Sequence, residues 1–255
     1  MNYAIDHCEP FDGRTENPWM KAEHVGRYLF CVDFFKSTHA HKLMDAACAE
    51  GFGSQLLAES GFSVYGADIN PNYVETAEKR CAGCFTVMDF ERQDFPSEFA
   101  EMDGAVCFET IEHIREGGVL LKKLSRCIRD GGYLLLSFPN SLFEKIDGNG
   151  INFDPFHLRI FSREEMLRLA AAAGFVLEEE YGQSLCNQLY AAESCARHSG
   201  RLTQEEIDGL LRYDRDAVIR LAKLIGYPNR SRIEESYSYI WVLKKVCGGA
   251  DREKL

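Results

Sequence analysis

The sequence lacks any apolar run near the roughly 18 residues that a membrane-spanning helix needs. No apolar leader of the secretory kind opens it, so the expectation is a cytoplasmic chain with no membrane partner. It also lacks basic excess: Lys and Arg number 29 against 40 Asp and Glu, a formal net charge of −11. A nucleic-acid footprint needs a basic surface that neutralises phosphates, so nucleic acid is not an expected partner and a small molecule is. Ten cysteines are present, yet Cys81 and Cys84 alone have C-x-x-C spacing, with no second pair beside them. That weighs against a structural zinc site, and Cys48 and Cys107, set in apolar segments, read as small core residues. Missing too is the G-x-G-x-x-G turn of dinucleotide-binding folds, which weighs against a nicotinamide oxidoreductase.

What is present is ample for a core. The 255 residues are 45% hydrophobic, with 17 Phe and 11 Tyr, and suit one α/β domain with an appendage. The organising stretch runs from Lys42 to Asp68. Leu43-Met44 with Ala46-Ala47 reads as a strand, Gly51-Phe52-Gly53 as a turn, and Ser54 to Ser60 as a helix closed by Gly61. Ser63 to Ala67 is a second strand ending at Asp68, 17 residues after Gly51. A turn of small residues lets backbone approach a ligand at the free N–H groups of a helix start, and a carboxylate about 20 residues on suits a ribose diol.

Around this stretch the pattern alternates. Residues 1–16 read as a flexible arm, and Pro18 to Phe35 as an amphipathic helix whose polar Glu23, His24 and Arg27 are candidates to line a pocket. Asn70-Pro71 opens a helix to Cys81, Phe85–Met88 is a strand ending at Asp89, and Met102–Phe108 is a buried strand. Glu116–Asp130 is a helix, Tyr133–Phe138 a strand, and 141–161 a long loop of the kind that covers active sites. Ser162 and Glu165 cap a helix from Arg163 to Ala173, and Phe175–Tyr181 is the sixth strand. Residues 182–235 carry two helical patterns, 187–198 and 203–225, expected to pack at the carboxyl edge of the sheet as a lid or a homodimer surface. Tyr237–Val246 is the last strand, and 248–255 a flexible tail.

Glu109-Thr110-Ile111-Glu112-His113 follows the fourth strand, where α/β sheets place ligands. On a first helical turn Glu109, Glu112 and His113 share one face. The cluster serves as a metal-ligand set, as a base and orienting group without metal, or as plain structure.

Asp45-Ala46-Ala47-Cys48-Ala49-Glu50-Gly51-Phe52-Gly53 resembles the D-x-G-x-G-x-G motif of class I S-adenosylmethionine (SAM) methyltransferases, and G-G-Y-L-L-L-S-F-P-N at 131–140 resembles the same family at its matching place. The likeness covers residues 17–181 and 236–247. It implies a Rossmann-like three-layer α/β sandwich with a mostly parallel seven-stranded sheet, its last strand reversed, and a helical insertion before that strand. SAM is the implied cofactor. Asp45 and Gly51, with Ala47 beside them, would sit toward its methionine end, Asp68 on the ribose, and Asp89 with Phe90 at the adenine, with Ile69 and Glu109 also cofactor-binding. Ala47 and Ala49 stand where the family has glycine; each methyl is tolerated at negative φ and strained at positive φ. Glu109, Glu112, His113 and His157 are the implied catalytic residues, with Mg or Mn a less favoured addition. The implied reaction is methyl transfer to a small-molecule hydroxyl, of a sugar or metabolite; the alternative is an inactive SAM-binding or partner-binding module of the same fold.

Overall fold

The computed structural model describes residues 9–13, 18–143, 156–183 and 185–246. Seven strands form one sheet: β1 (Lys42–Ala46), β2 (Ser63–Asp68), β3 (Cys84–Val87), β4 (Met102–Cys107), β5 (Ile128–Pro139), β6 (Phe175–Gln183) and β7 (Ser238–Lys245). Their order is β3-β2-β1-β4-β5-β7-β6, with β7 antiparallel to β5 and β6 and the other pairings parallel, as expected. Eight α-helices accompany them among the described residues: α1 (Pro18–Ser37), α2 (Phe52–Glu59), α3 (Pro71–Arg80), α4 (Gly117–Cys127), α5 (Arg163–Ala172), α6 (Leu185–His198), α7 (Gln204–Leu210) and α8 (Arg215–Leu221). None among the described residues is long and apolar enough to cross a membrane.

The period of two along each strand makes two cores. Met44, Ala105, Leu134, Leu136, Trp241 and Leu243 face one way, where Leu120, Leu121 and Leu124 of α4 and Met166 of α5 cover them. Leu43, Val106, Leu135, Ile240 and Val242 face the other, under Val25, Phe35 and Leu57 of α1 and α2. A three-layer sandwich follows.

Local signals set most boundaries. Asn70 accepts the Asn72 N–H ahead of Pro71, Ser162 accepts that of Glu165, and Thr203 with Glu206 forms a full capping box. Departures have local causes as well. The helix expected to reach Asp130 stops at Cys127, because Ile128 already pairs with Met102. Gly131 then takes a left-handed φ of 75° in the irregular start to β5. The helix expected over 203–225 is broken: Asp214 caps Ala217 and opens α8, which runs into a π-helical turn, Ala222–Gly226.

The insertion packs chiefly on α1 rather than on the sheet edge, through α6, α8 and the π-turn. Gly26 and Gly226 make this possible, since a Cβ on Gly26 would lie 2.0 Å from the Gly226 carbonyl oxygen and one on Gly226 equally close to that of Ala22. The expected N-terminal arm is anchored where it is described. Buried Glu9 pairs with Arg80 of α3 at 2.6 Å, Asp12 with Lys21 at 2.6 Å, and Phe11 sits edge-on to Phe52. The middle of the expected covering loop and the expected tail lie outside the described residues.

Candidate active site

The loop after β1 is built around two carboxylates. Asp45, at the penultimate position of β1, is fully buried; its Oδ1 accepts the Tyr28 hydroxyl of α1 at 2.9 Å and its Oδ2 the Ser54 hydroxyl of α2 at 2.6 Å. Burial pushes its carboxyl up to about 6 against the pull of these two hydroxyls, with the Asp68 charge adding to the rise. With no exposed surface and a hydroxyl donating to each oxygen, Asp45 braces α1, β1 and α2. The chain there is tight, for a Cβ on Gly53 would come within 2.0 Å of the Tyr28 ring and one on Gly51 within 2.7 Å of Ala77 Cβ.

Asp68 closes the loop from the other side. Its Oδ2 accepts the Ala49 N–H at 3.0 Å and its Oδ1 that of Asn70 at 2.8 Å. Ala47 and Ala49 take left-handed φ values of 62° and 47°, as Gly51 does at 78°, so both alanines hold the backbone in which glycine is unstrained. Half-buried Ile69 follows Asp68. One strand further out, Asp89 is half-buried; its Oδ1 accepts the Glu91 N–H and its Oδ2 lies 3.5 Å from Arg92. Phe90 is 5% exposed with its ring against Phe95, and its carbonyl accepts from Lys123. Its ring is thus packed within the core.

At the end of β4 the expected single helical face does not form. Glu109 has a left-handed φ of 42°, and only Ile111–His113 make a 3-10 turn. The backbone reversal sends Glu109 one way and Glu112 with His113 the other. Glu109 Oε1 accepts the Ser137 hydroxyl at 2.6 Å, Oε2 that of Ser238 at 3.3 Å, and Arg27 Nη1 stands 3.4 Å from Oε1.

Glu112 and His113 instead meet His157. One ligand atom from each of the three lies within 4.8 Å of the others, the two imidazole rings being 5.0 Å apart and nearly perpendicular at 70°. His113 Nδ1 is 2.8 Å from the Phe156 carbonyl oxygen. A carbonyl only accepts, so Nδ1 carries the proton. In neutral His113 the lone pair is then on Nε2, which lies 3.9 Å from Glu112 Oε1.

Sequence reasoning missed Tyr28, Ser54, Gln183, Ser137 and Ser238. All five are buried polar side chains, and no spacing in the sequence marks them. SAM fits the residues present. A carboxylate ends β2, an acceptor-only group suited to the donating hydroxyls of a diol. A loop of small residues leads into α2, and buried Arg27 Nη1 lacks a hydrogen-bond acceptor among the described residues while standing beside Glu109.

Comparison with known proteins gives the same answer. A family model described as a methyltransferase domain matches residues 26–180. A probable S-adenosylmethionine-dependent methyltransferase of Mycolicibacterium smegmatis is 28% identical over 210 residues, 80% of this chain and 79% of that one. A ubiquinone biosynthesis O-methyltransferase of Hydrogenovibrio crunogenus is 22% identical over 53% of this chain, which spans 54% of that protein's length. Among solved structures, magnesium protoporphyrin IX methyltransferase of Synechocystis with bound SAH superimposes with a TM-score of 0.56 at 16% identity, covering 89% of this chain and 85% of that one. At that identity the likeness is one of fold alone, whereas the family model spans well over half of the chain. The chain belongs to the methyltransferase-domain family and is a class I SAM-dependent methyltransferase.

Proposed function

We propose that this enzyme methylates a hydroxyl of a small-molecule acceptor, with His113 as the group that takes the hydroxyl proton. The observation that carries this reading is the imidazole pair His113 and His157 with the Glu112 carboxylate beside them, at the end of the strand next to the cofactor loop. When bound, SAM supplies a methyl group on a cationic sulfur, already activated for in-line displacement. The protein's task is alignment and removal of one proton. His113 Nε2 accepts that proton, and Glu112 at 3.9 Å favours the imidazolium that forms. His157 stands edge-on to His113 and orients the acceptor oxygen. On the cofactor side, Asp68 holds the ribose hydroxyls, the Ala47–Gly51 loop and Ile69 flank the sugar and sulfur, Asp89 reaches the adenine corner, and Glu109 faces the amino-acid tail. The likeness to a ubiquinone biosynthesis O-methyltransferase supports oxygen as the acceptor atom.

A second reading has its own observation. Two histidines and a carboxylate with ligand atoms within 4.8 Å of one another make a donor set that suits a divalent transition metal. Such a metal would lower the pKa of an acceptor hydroxyl in place of a base. Calorimetric titration with SAM and with S-adenosylhomocysteine, each with and without Mg²⁺ or Mn²⁺, comes first, followed by an acceptor screen on wild type, His113→Gln and His157→Gln. Binding in the micromolar range and transfer that falls at least a hundredfold in His113→Gln without added metal support the base reading. Activity abolished by chelation and restored by Mn²⁺ favours the metal. Cofactor binding with no transfer to any hydroxyl compound leaves the inactive binding module standing.

A further inference from the structure

Lys122 and Lys123 are neighbours on α4, but only Lys122 is exposed; Lys123 is buried. A helical lysine ordinarily lays its stem along apolar neighbours and keeps its ammonium in water. The Lys123 Nζ instead donates to the Phe90 carbonyl at 2.9 Å and to the Gln93 carbonyl at 2.5 Å, both in the turn that follows β3. Burying an ammonium is costly unless its protons are taken, and here one turn takes two of them. That turn carries Asp89. The Arg92 and Gln93 N–H groups donate to the Asp89 carbonyl at 3.1 and 2.9 Å, and Gln93 Oε1 accepts the Asp89 N–H at 2.8 Å. These bonds close the turn on itself. Two hydrogen-bonded ties among the described residues hold the closed turn to the rest of the chain. One is exposed, the Arg115 N–H donating to Glu91 Oε1 at 3.0 Å. The other is Lys123, shielded from water and charged, hence the stronger.

What the turn presents makes its position matter. Asp89 Oδ1 is taken by the Glu91 N–H at 2.9 Å, while Oδ2 faces Arg92, an exposed side chain, at 3.5 Å. An ionised carboxylate only accepts, so it suits the exocyclic amino group of adenine. Hypoxanthine carries a carbonyl oxygen at that place and would set acceptor against acceptor. Selectivity of this kind needs the oxygen held to within about 0.5 Å, which an exposed turn does not achieve alone. We propose that Lys123 is a positioning residue for base selectivity: by holding the Phe90 and Gln93 carbonyls it fixes Asp89 where it accepts the amino group and rejects an oxygen. This rests on the placement of Asp89 at the adenine proposed above.

The test is calorimetric titration of the full chain with two ligands, S-adenosylhomocysteine and S-inosylhomocysteine, which differs only in its base. Wild type is expected to bind the adenosyl compound about tenfold to a hundredfold more tightly, the worth of a charged hydrogen bond. Lys123→Met is expected to narrow that ratio at least about threefold, chiefly by weakening the adenosyl compound. Lys123→Gln keeps a neutral donor on the helix, serves if the methionine variant does not fold, and narrows the ratio by a smaller factor. A lysine that serves stability alone would lower the Tm of these variants and leave the ratio where it was. That result overturns the inference while the cofactor placement stands. Equal wild-type affinity for the two ligands overturns the placement of Asp89 and the inference with it, and wild-type binding of neither overturns the cofactor reading as a whole.

Discussion

Replacing Ala47 and Ala49 together by glycine tests whether the cofactor loop is held under strain. Both alanines sit at left-handed φ, 62° and 47°. A residue with a Cβ loses about 1–2 kcal/mol there relative to its favoured conformation. Glycine removes that cost but makes the unfolded chain freer by about 0.5–1 kcal/mol. The net gain is about 0.5–1 kcal/mol per site, and about 1–2 kcal/mol for the pair if the two sites are independent. For a domain of this size that raises Tm by roughly 2–8 °C. The loop's own bonds survive, because the Ala49 N–H that meets Asp68 and the Cys48 N–H that meets the Ala67 carbonyl are backbone donors. Affinity is a separate matter: strain present in both free and bound protein cancels from binding, so S-adenosylhomocysteine affinity should stay within about threefold. Urea titration and calorimetry on the double variant measure both quantities. A loss of stability of about 1 kcal/mol or more would refute the left-handed assignment, and a tenfold change in affinity would refute a loop set before the ligand arrives.

Three further outcomes follow from the same geometry. The Asp45 carboxyl, raised from 3.8 to about 6, keeps its proton longer folded than unfolded. Its contribution is therefore full below the unfolded value and is lost as pH rises through the folded one, by about 3 kcal/mol. Asp45→Asn should flatten that fall when denaturation midpoints are compared with wild type between pH 4 and pH 7, and a parallel pair of curves would count against it. Gly53→Ala places a methyl 2.0 Å from the Tyr28 ring. Overpacking of that kind should cost at least about 2 kcal/mol in thermal unfolding, and a variant as stable as wild type contradicts the packing. His157→Gln should slow transfer at least about tenfold with S-adenosylhomocysteine affinity unchanged, as acceptor-side placement requires, and a matching loss of cofactor binding would move His157 to the other side of the site.

The sheet was legible because a parallel α/β core imposes apolar strands and capped helices at short range, and residues such as Asn70, Ser162 and Thr203 signal their caps within a few positions. The acceptor cluster was legible only in part. His157 joins Glu112 and His113 from beyond β5, which the resemblance anticipated and periodicity could not. The helical face shared by Glu109, Glu112 and His113 does not form because the left-handed φ of Glu109 turns it into a fork, and nothing in a glutamate's chemistry announces positive φ. The bracing role of Asp45 was not legible because the partners that hold it, Tyr28 and Ser54, become neighbours only when α1 lies across α2. The insertion's seat on α1 depended on Gly26 and Gly226, far apart in the chain and each unremarkable within its own segment.

Backbone set against backbone at Gly26 and Gly226 leaves no side chain there to trim or exchange. A chimera that imports residues 184–237 from a relative to change acceptor preference would thus import one half of a fitted joint. Unless α1 travels with it, any side chain at either crossing point forces the donor segment outward and draws the Gly226 carbonyl off Gln183. The smallest exchangeable module of this enzyme is therefore discontinuous, α1 together with the insertion, although β1 through β6 lie between them in sequence.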